Sequence, residues 1–257
     1  MNTLATQLDL LWPAFAAGLI VLATHVPLGI QVLARGIIFI DLAVAQVAGL
    51  GALLAHLADH GDNPWMVQGA AVGAALGAAL LLQWSEKRWP QLQEALIGLL
   101  FVLAASGAVL LLARDTHGGE QLRDLLVGQM LWVSRGQLLA AAAASAGLLL
   151  AWKALGRQGG GLAFYMLFSV AVTVSVQLVG VYLVFASLIV PALATHGMRQ
   201  RRLATGFGVG AAGYIAGLSL AALADLPAGA ASVWMLAAAG LVFALVRSSV
   251  APPRPIC

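Results

Sequence analysis

Long apolar stretches, each bounded by a short polar or charged segment, follow one another along the chain. A helix needs about 20 apolar residues to cross the roughly 30 Å hydrocarbon core of a membrane. The run over 162–195 would be about 51 Å long as one helix, so we expect Gly180 and Pro191 to divide it into two shorter helices. Seven other runs have the length of one crossing: 11–33, 36–58, 64–84, 94–113, 137–155, 203–223 and 231–247. The pattern predicts an all-α, polytopic membrane helix bundle with eight or nine transmembrane segments, forming one domain over 1–257.

The composition supports a membrane protein and excludes several other classes. Hydrophobic residues make up 61% of the chain and charged residues only 9%, whereas soluble domains have about 25% charged residues. The net charge of +3 is spread along the chain, which argues against a nucleic-acid partner. The single cysteine, Cys257, rules out a disulfide framework and a thiolate metal cluster. The opening residues MNTLATQLDL contain no Lys or Arg, so we expect the first apolar run to be retained as a helix.

The distribution of Lys and Arg predicts the orientation. Ten of the 13 cationic residues fall in alternate loops, and such loops face the cytoplasm. The exceptions are Arg114, Arg123 and Arg135. The N-terminus is therefore predicted outside and the C-terminus inside. The ten are Arg35, Lys87, Arg88, Lys153, Arg157, Arg199, Arg201, Arg202, Arg247 and Arg254.

Glycines at four-residue spacing mark helix faces where two backbones can approach closely. Gly206 with Gly210, and Gly213 with Gly217, form two such pairs in one predicted helix. A third set, Gly69, Gly73 and Gly77, lies in the segment GAAVGAALG. We expect all three sets to form contacts between helices of the bundle.

A few polar residues lie inside the predicted spans and are the candidates for a transport pathway. A charged group at membrane depth costs roughly 2.5–3.5 kcal/mol, and it survives mainly on an interior or aqueous face. Asp41 is the main candidate metal ligand, and Gln46 and His56 follow it on the same predicted helix. Asp41 and His56 are about 22 Å apart along the helix, so they can face one pathway but cannot share one ion. His25 is a further candidate, because Pro27 should kink its helix and leave a carbonyl unpaired nearby.

Other interpretations of these polar residues stay open. Gln46 and Gln177 can tie helices together without touching a substrate, and His25 can serve only to brace the kink. His60 and His117 have acidic neighbours in predicted outer loops, where they can collect cations or simply be solvated. The chain contains no HExxH, GxSxG or Walker motif, so transport is favoured over enzymatic activity.

Four segments, in order and at the expected spacing, resemble the membrane permeases of ABC importers for zinc and manganese. THVPLGIQVLARGIIFIDLAVAQVAGLGALLAH is similar to the opening of that family, and LLVGQMLWVS to its Phe-Gly-Asp stretch. VTVSVQLVGVYLVFASLIVPALAT is similar to its paired-helix signature, and ADLPAGAASVWMLAAAGLVFAL to its last turn and final helix. The resemblance covers nearly the whole chain.

The resemblance implies a permease subunit that forms a homodimer in the bacterial inner membrane. It also implies cytoplasmic ATPase subunits that use ATP, and an extracytoplasmic binding protein that delivers Zn²⁺ or Mn²⁺; this chain is expected to bind no cofactor of its own. Asp41 is carried over as the acidic pathway ligand. Two of the family's usual metal ligands are absent, because Ala45 stands near the place of a histidine and Gln129 in place of an aspartate. The segment KALGRQGGG replaces a short ATPase-docking helix, so the docking contact is expected at Met198–Arg202 or Glu86–Trp89.

Three functions follow from these observations. The first is the permease of an ATP-driven importer of divalent metal, with zinc expected and manganese or iron possible. The second is a secondary carrier or channel for a small cation, which would need no ATPase. The third is a membrane scaffold without transport, which predicts that Asp41 and His25 tolerate substitution.

Overall fold

The computed structural model describes residues 3–60, 63–113, 118–155 and 160–250. The sequence predictions for Arg114, His117, Arg157, Arg254 and Cys257 fall outside these ranges. The described residues are almost all helical and include no strand, so the predicted all-α bundle is confirmed. The helices are α1 (Thr3–Arg35), α2 (Ile40–Ala55), α3 (Pro64–Arg88), α4 (Gln93–Leu112), α5 (Gly118–Val127), α6 (Arg135–Leu155), α7 (Gly160–Val179), α8 (Val181–Ala194), α9 (Arg202–Ala224) and α10 (Ala228–Val250).

Eight helices in the described part of the chain are long and apolar enough to cross a membrane: α1, α2, α3, α4, α6, α7, α9 and α10. Helix α8 is apolar but has only 14 residues, or about 21 Å. The boundary between α7 and α8 lies at Gly180, whose φ of 82° favours glycine, as the sequence predicted. Pro191 does not form a second boundary, because it is accommodated inside α8.

Helix α8 nevertheless returns the chain from one end of the bundle to the other. Before α8 begins, Gly180 packs against the backbone at 127–128, which also packs against Gly229 at the start of α10. After α8 ends, the His196 carbonyl accepts a 2.8 Å hydrogen bond from Arg247 near the end of α10. Residues 229 and 247 are about 27 Å apart along α10. Helix α8 therefore runs beside α10 and in the same direction.

Glycines of α9 bring three helices into close contact, as the sequence predicted. Gly206 and Gly210 lie against Val26 and Leu22 of α1, which fixes α1 and α9 as antiparallel neighbours. On the same face of α9 but further along its axis, Gly213 and Gly217 pack on Leu236 and Ser232 of α10, also antiparallel. Helices α1 and α10 thus run in the same direction, so Thr3 and Val250 lie at opposite ends of the bundle.

The glycines of α3 do not behave in this way. No other described side chain or backbone lies within 4 Å of a Cβ placed at Gly69, Gly73 or Gly77. The prediction that this set makes contacts inside the bundle is therefore wrong for the described part of the chain. The contact of α3 with α2 is instead made at Gly51 of α2, which packs on Ala70 and Ala74.

Candidate functional site

Asp41 lies in the first turn of α2 and is almost completely buried, with 1% of its surface exposed. Neither carboxylate oxygen has a hydrogen-bond partner among the described residues. The position at the amino end of a helix favours a negative charge, because the helix dipole is positive there. A buried carboxylate without partners is still costly, and such groups in membrane proteins are usually functional. Asp41 therefore remains the main candidate metal ligand.

One face of α2 connects Asp41 to a cavity of about 330 Å³. Ala48, Gly49 and Ala52 of α2 line this cavity. At 100° per residue, Asp41 and Ala45 lie on the same stripe of the helix as these three residues. Along the helix axis, Asp41 lies about 10 Å from Ala48, toward the amino end of α2. The carboxylate thus lies on the face that continues from the cavity toward the opposite end of α2.

Neutral polar side chains form the other wall of this cavity. Gln177 and Thr173 reach it from α7, Gln137 from α6, and Gln129 from the segment between α5 and α6. The Oε1 atom of Gln137 accepts a 2.8 Å hydrogen bond from the Ser134 backbone N–H, which leaves its amide NH₂ as a donor. Sequence analysis singled out Gln129 and Gln177 but missed Gln137, because only the packing of three separate segments places the amides together.

His25 is buried in α1, but its surroundings differ from the prediction. Its Nδ1 lies 3.0 Å from the Val21 carbonyl oxygen and 3.0 Å from the hydroxyl of Thr24. Pro27 would free the Ala23 carbonyl, so the imidazole binds a different carbonyl from the one that the proline leaves unpaired. The Nε2 atom is buried and has no partner among the described residues. An N–H on Nδ1 directed at a carbonyl leaves a lone pair on Nε2, the arrangement that a metal-binding histidine adopts.

The predicted candidates do not form one cluster. His56 lies on the Asp41 stripe but is exposed at the far end of α2. Gln46 is buried, and it lies about 60° around α2 from the nearest cavity-lining residue, Gly49. His25 belongs to α1, which packs mainly on α8 and α9, whereas α2 packs mainly on α3 and α4. No group of three or more His, Cys, Asp or Glu that could hold a metal occurs in the described ranges.

Arg35 does not pair with Asp41. Its guanidinium lies 3.8 Å from Oε1 of Glu86 and 4.2 Å from the ring centre of Phe164. These contacts join the end of α1 to the end of α3 and the start of α7. Glu94 of α4 contributes to the same end of the bundle by accepting a 3.3 Å hydrogen bond from the Phe39 N–H.

A buried hydrogen-bond network lies at this end as well. Gln93 donates through Nε2 to the Leu82 carbonyl at 3.0 Å and to the Tyr165 hydroxyl at 3.2 Å, and its Oε1 accepts from the Ser85 hydroxyl at 2.8 Å. Helices α3, α4 and α7 are therefore held together at the end predicted to face the cytoplasm. Sequence analysis did not single out Gln93 or Ser85, although both are polar residues at the ends of apolar runs.

Comparison with known proteins decides the family. The sequence model of the ABC 3 transport family matches residues 7–159 and 158–248. The chain belongs to the ABC 3 transport family. The resemblance found in the sequence is thereby confirmed. Its family, together with eight helices among the described residues that are long and apolar enough to cross a membrane, makes the chain a transmembrane permease, a multi-pass protein of the bacterial inner membrane.

Two solved structures share the fold of this ABC 3 permease. The PsaBC complex from Streptococcus pneumoniae, bound to a Fab, aligns with a TM-score of 0.75 and 17% identity, covering 94% of this chain and 95% of that one. An inward-facing ABC transporter described as metal-chelate type aligns with a TM-score of 0.64 and 19% identity, covering 93% of this chain and 86% of that one. No curated protein has a significant sequence match to the chain.

The structure describes only part of KALGRQGGG, the segment that stands in place of the family's ATPase-docking helix. Helix α6 ends at Leu155 and α7 begins at Gly160, while residues 156–159 lie outside the described residues. Gly160 and Gly161 are helical, although glycine has a low helix propensity. The docking prediction for Met198–Arg202 and Glu86–Trp89 stays a prediction.

Proposed function

We propose that this ABC 3 permease forms the membrane pathway of an ATP-driven importer of divalent metal ions, zinc in the first place, with manganese or iron as alternatives. The observation that carries the proposal is the buried carboxylate of Asp41, which has no hydrogen-bond partner among the described residues and lies on the cavity-lining face of α2. A carboxylate oxygen binds all three metals. His25 is a second candidate ligand, on a different helix.

The two ends of the bundle differ in a way that supports import. The cavity with Gln129 and Gln177 lies at the end predicted to face outward. At the opposite end, the contacts of Arg35 with Glu86 and of Gln93 with Tyr165 join α1, α3, α4 and α7. This arrangement fits a state that accepts substrate from outside while the route to the cytoplasm is closed.

The proposed partners follow from the family. The chain has no nucleotide-binding motif, so ATP hydrolysis is assigned to separate cytoplasmic ATPase subunits. An extracytoplasmic binding protein is proposed to deliver the metal to the outer cavity, and two copies of the chain are proposed to form a homodimer. Purification of the assembled transporter, followed by a mass measurement, tests the stoichiometry.

Asp41→Asn tests the proposed pathway, because it keeps the size of the side chain and removes its charge. We expect at least about a tenfold loss of ⁶⁵Zn uptake in zinc-starved cells, with normal amounts of protein in the membrane. The matched control is Asp225→Asn, at an exposed helix end where φ is 52°, a conformation that asparagine tolerates. The control should transport normally. Normal uptake by Asp41→Asn at wild-type protein levels would refute the proposal.

A further inference from the structure

Three neighbouring cavities near the predicted outer end share polar lining residues. The cavity described above, of about 330 Å³, shares Gln129 and Trp132 with a second cavity of about 350 Å³. It shares Gln137 and Gln177 with a third, also about 330 Å³, which Gln68 lines as well. We call the three cavities together the glutamine vestibule.

The vestibule is unsuited to a bare zinc ion. No Asp, Glu, His or Cys is among the described residues that line its three cavities. Structural and catalytic zinc sites use imidazole, thiolate and carboxylate ligands, and a neutral amide is a weak substitute for any of them. Among the described lining residues, the one charged side chain is that of Arg123 in the second cavity, and its positive charge opposes a bare cation.

The same groups suit a larger organic molecule. Amide side chains both donate and accept hydrogen bonds, and a guanidinium recognises carboxylate groups. Trp132 is 79% exposed and offers a flat surface to two of the cavities. Six waters around a hydrated ion occupy roughly 180 Å³, whereas small-molecule sites begin at about 300 Å³. Each cavity therefore has room for an organic ligand in addition to a metal.

The pathway beyond the vestibule also needs ligands that the chain does not supply. Zinc takes four ligands in most protein sites. Asp41 provides one carboxylate, and the adjacent turn of the same stripe carries Ala45, whose side chain cannot bind metal. A metal that kept an organic ligand would bring the missing donor atoms with it.

We propose that the glutamine vestibule binds a divalent metal as a complex with a small organic ligand that carries carboxylate groups, rather than as a free ion. Gln137 and Gln177 hydrogen-bond to the organic ligand, and Arg123 pairs with a carboxylate that is not used by the metal. The inference deepens the function proposed above and rests on it.

Equilibrium binding to the full-length chain in lipid nanodiscs tests this inference. The probes are free ⁶⁵Zn²⁺, free ⁵⁴Mn²⁺, and ⁶⁵Zn²⁺ complexed with ¹⁴C-labelled histidine or ¹⁴C-labelled citrate. We expect at least one complex to bind saturably, with both labels retained together, and at least about tenfold more tightly than the free ions. Gln177→Leu should weaken that binding about tenfold, because a hydrogen bond to the ligand is lost. Gln91→Leu, an exposed glutamine at the opposite end of the bundle, should leave it unchanged.

Three results would overturn the inference. The first is that a free ion binds saturably and that Gln177→Leu weakens this binding. The second is that neither of the two zinc complexes binds. The third is binding of metal-free citrate or histidine as tightly as the zinc complex, which would also remove the support for metal as the substrate. The first two leave the proposed metal importer intact, since the loss of zinc uptake expected for Asp41→Asn in cells does not depend on the vestibule.

Discussion

At the level of single residues, the proposed function rests on a carboxylate whose burial is energetically unfavourable. Asp41 is buried in the first turn of α2, and both of its oxygens lack a hydrogen bond within the described ranges. A purely structural aspartate would be expected to have a partner, because an unpaired charge in an apolar setting costs several kcal/mol. A passing cation would supply that partner during transport.

Ala45→His should add a second metal ligand beside Asp41. The two positions are one helical turn apart on the cavity-facing stripe, where side chains four residues apart have Cβ atoms about 5–6 Å from each other. We expect free Zn²⁺ to bind the purified variant about tenfold more tightly than the wild type, a change of about 1.4 kcal/mol. Calorimetric titration of protein in nanodiscs measures this directly.

Gln46→His is the matched control for that experiment. It places the same imidazole one residue further along α2, about 100° around the helix and away from the stripe. It should give no gain in zinc affinity. A correctly folded Ala45→His variant without tighter binding, or an equal gain from Gln46→His, would show that the pathway does not follow the stripe through Asp41 and Ala45. Size-exclusion profiles check the fold, because Ala45 is only 1% exposed and the larger side chain must find room.

The residues that sequence alone could find are those whose chemistry conflicts with their surroundings. Asp41 stands out because a charge lies inside an apolar run. Gln137 does not stand out, because its role depends on α6 lying beside α7 and the segment before α6. The partner of Arg35 was also beyond sequence reasoning: Glu86 is about 50 positions away along the chain but lies 3.8 Å from it in space.

At the scale of helices, glycine spacing identifies a close-packing face without saying what it packs against. The predicted contacts of Gly206, Gly210, Gly213 and Gly217 are present, whereas the stripe on α3 faces open space. Both patterns look the same in the sequence. The difference arises because the glycine-bearing face of α9 packs on both α1 and α10, while one face of α3 has no neighbour in the described part of the chain.

Gly210→Leu should therefore lower stability, whereas Gly73→Leu should not. A Cβ at Gly210 would stand 2.5 Å from the Leu22 side chain, so leucine must force α1 and α9 apart, at a cost of about 1–3 kcal/mol. Leucine at Gly73 meets nothing within 4 Å and should leave the fold intact. Thermal unfolding in detergent, followed by circular dichroism, compares the two. Equal losses of stability in both variants would contradict the packing described for α9.

At the scale of the whole molecule, the number of membrane passes determines whether the two ends of the chain lie on the same side of the bundle or on opposite sides. Eight long helices and the shorter α8, which returns the chain beside α10, give nine passes within the described residues. An odd number puts Thr3 and Val250 at opposite ends of the bundle. The sequence predicted both the length of the runs and the break at Gly180, but the return of a 14-residue helix depends on its contacts with α1 and α10.

Single cysteines at Arg201 and Asp225 test which end faces the cytoplasm. The two residues flank α9 at its opposite ends, both are exposed, and both have a positive φ, so a cysteine meets similar backbone strain at each site. With Cys257 replaced by serine, a membrane-impermeant maleimide should label the cysteine at 225 in intact cells and the one at 201 only after permeabilisation. Labelling at 201 in intact cells would reverse the orientation.

We expect this chain to pass metal only as part of an ATP-driven assembly. The most direct measurement is ⁶⁵Zn accumulation in proteoliposomes that contain the chain, its ATPase and the metal-loaded binding protein. The account predicts accumulation that requires ATP and the ATPase, and that is lost when Asp41→Asn replaces the wild-type chain. Accumulation by the chain alone, driven by a proton gradient or by the zinc gradient, would contradict the account and establish a secondary carrier or channel instead.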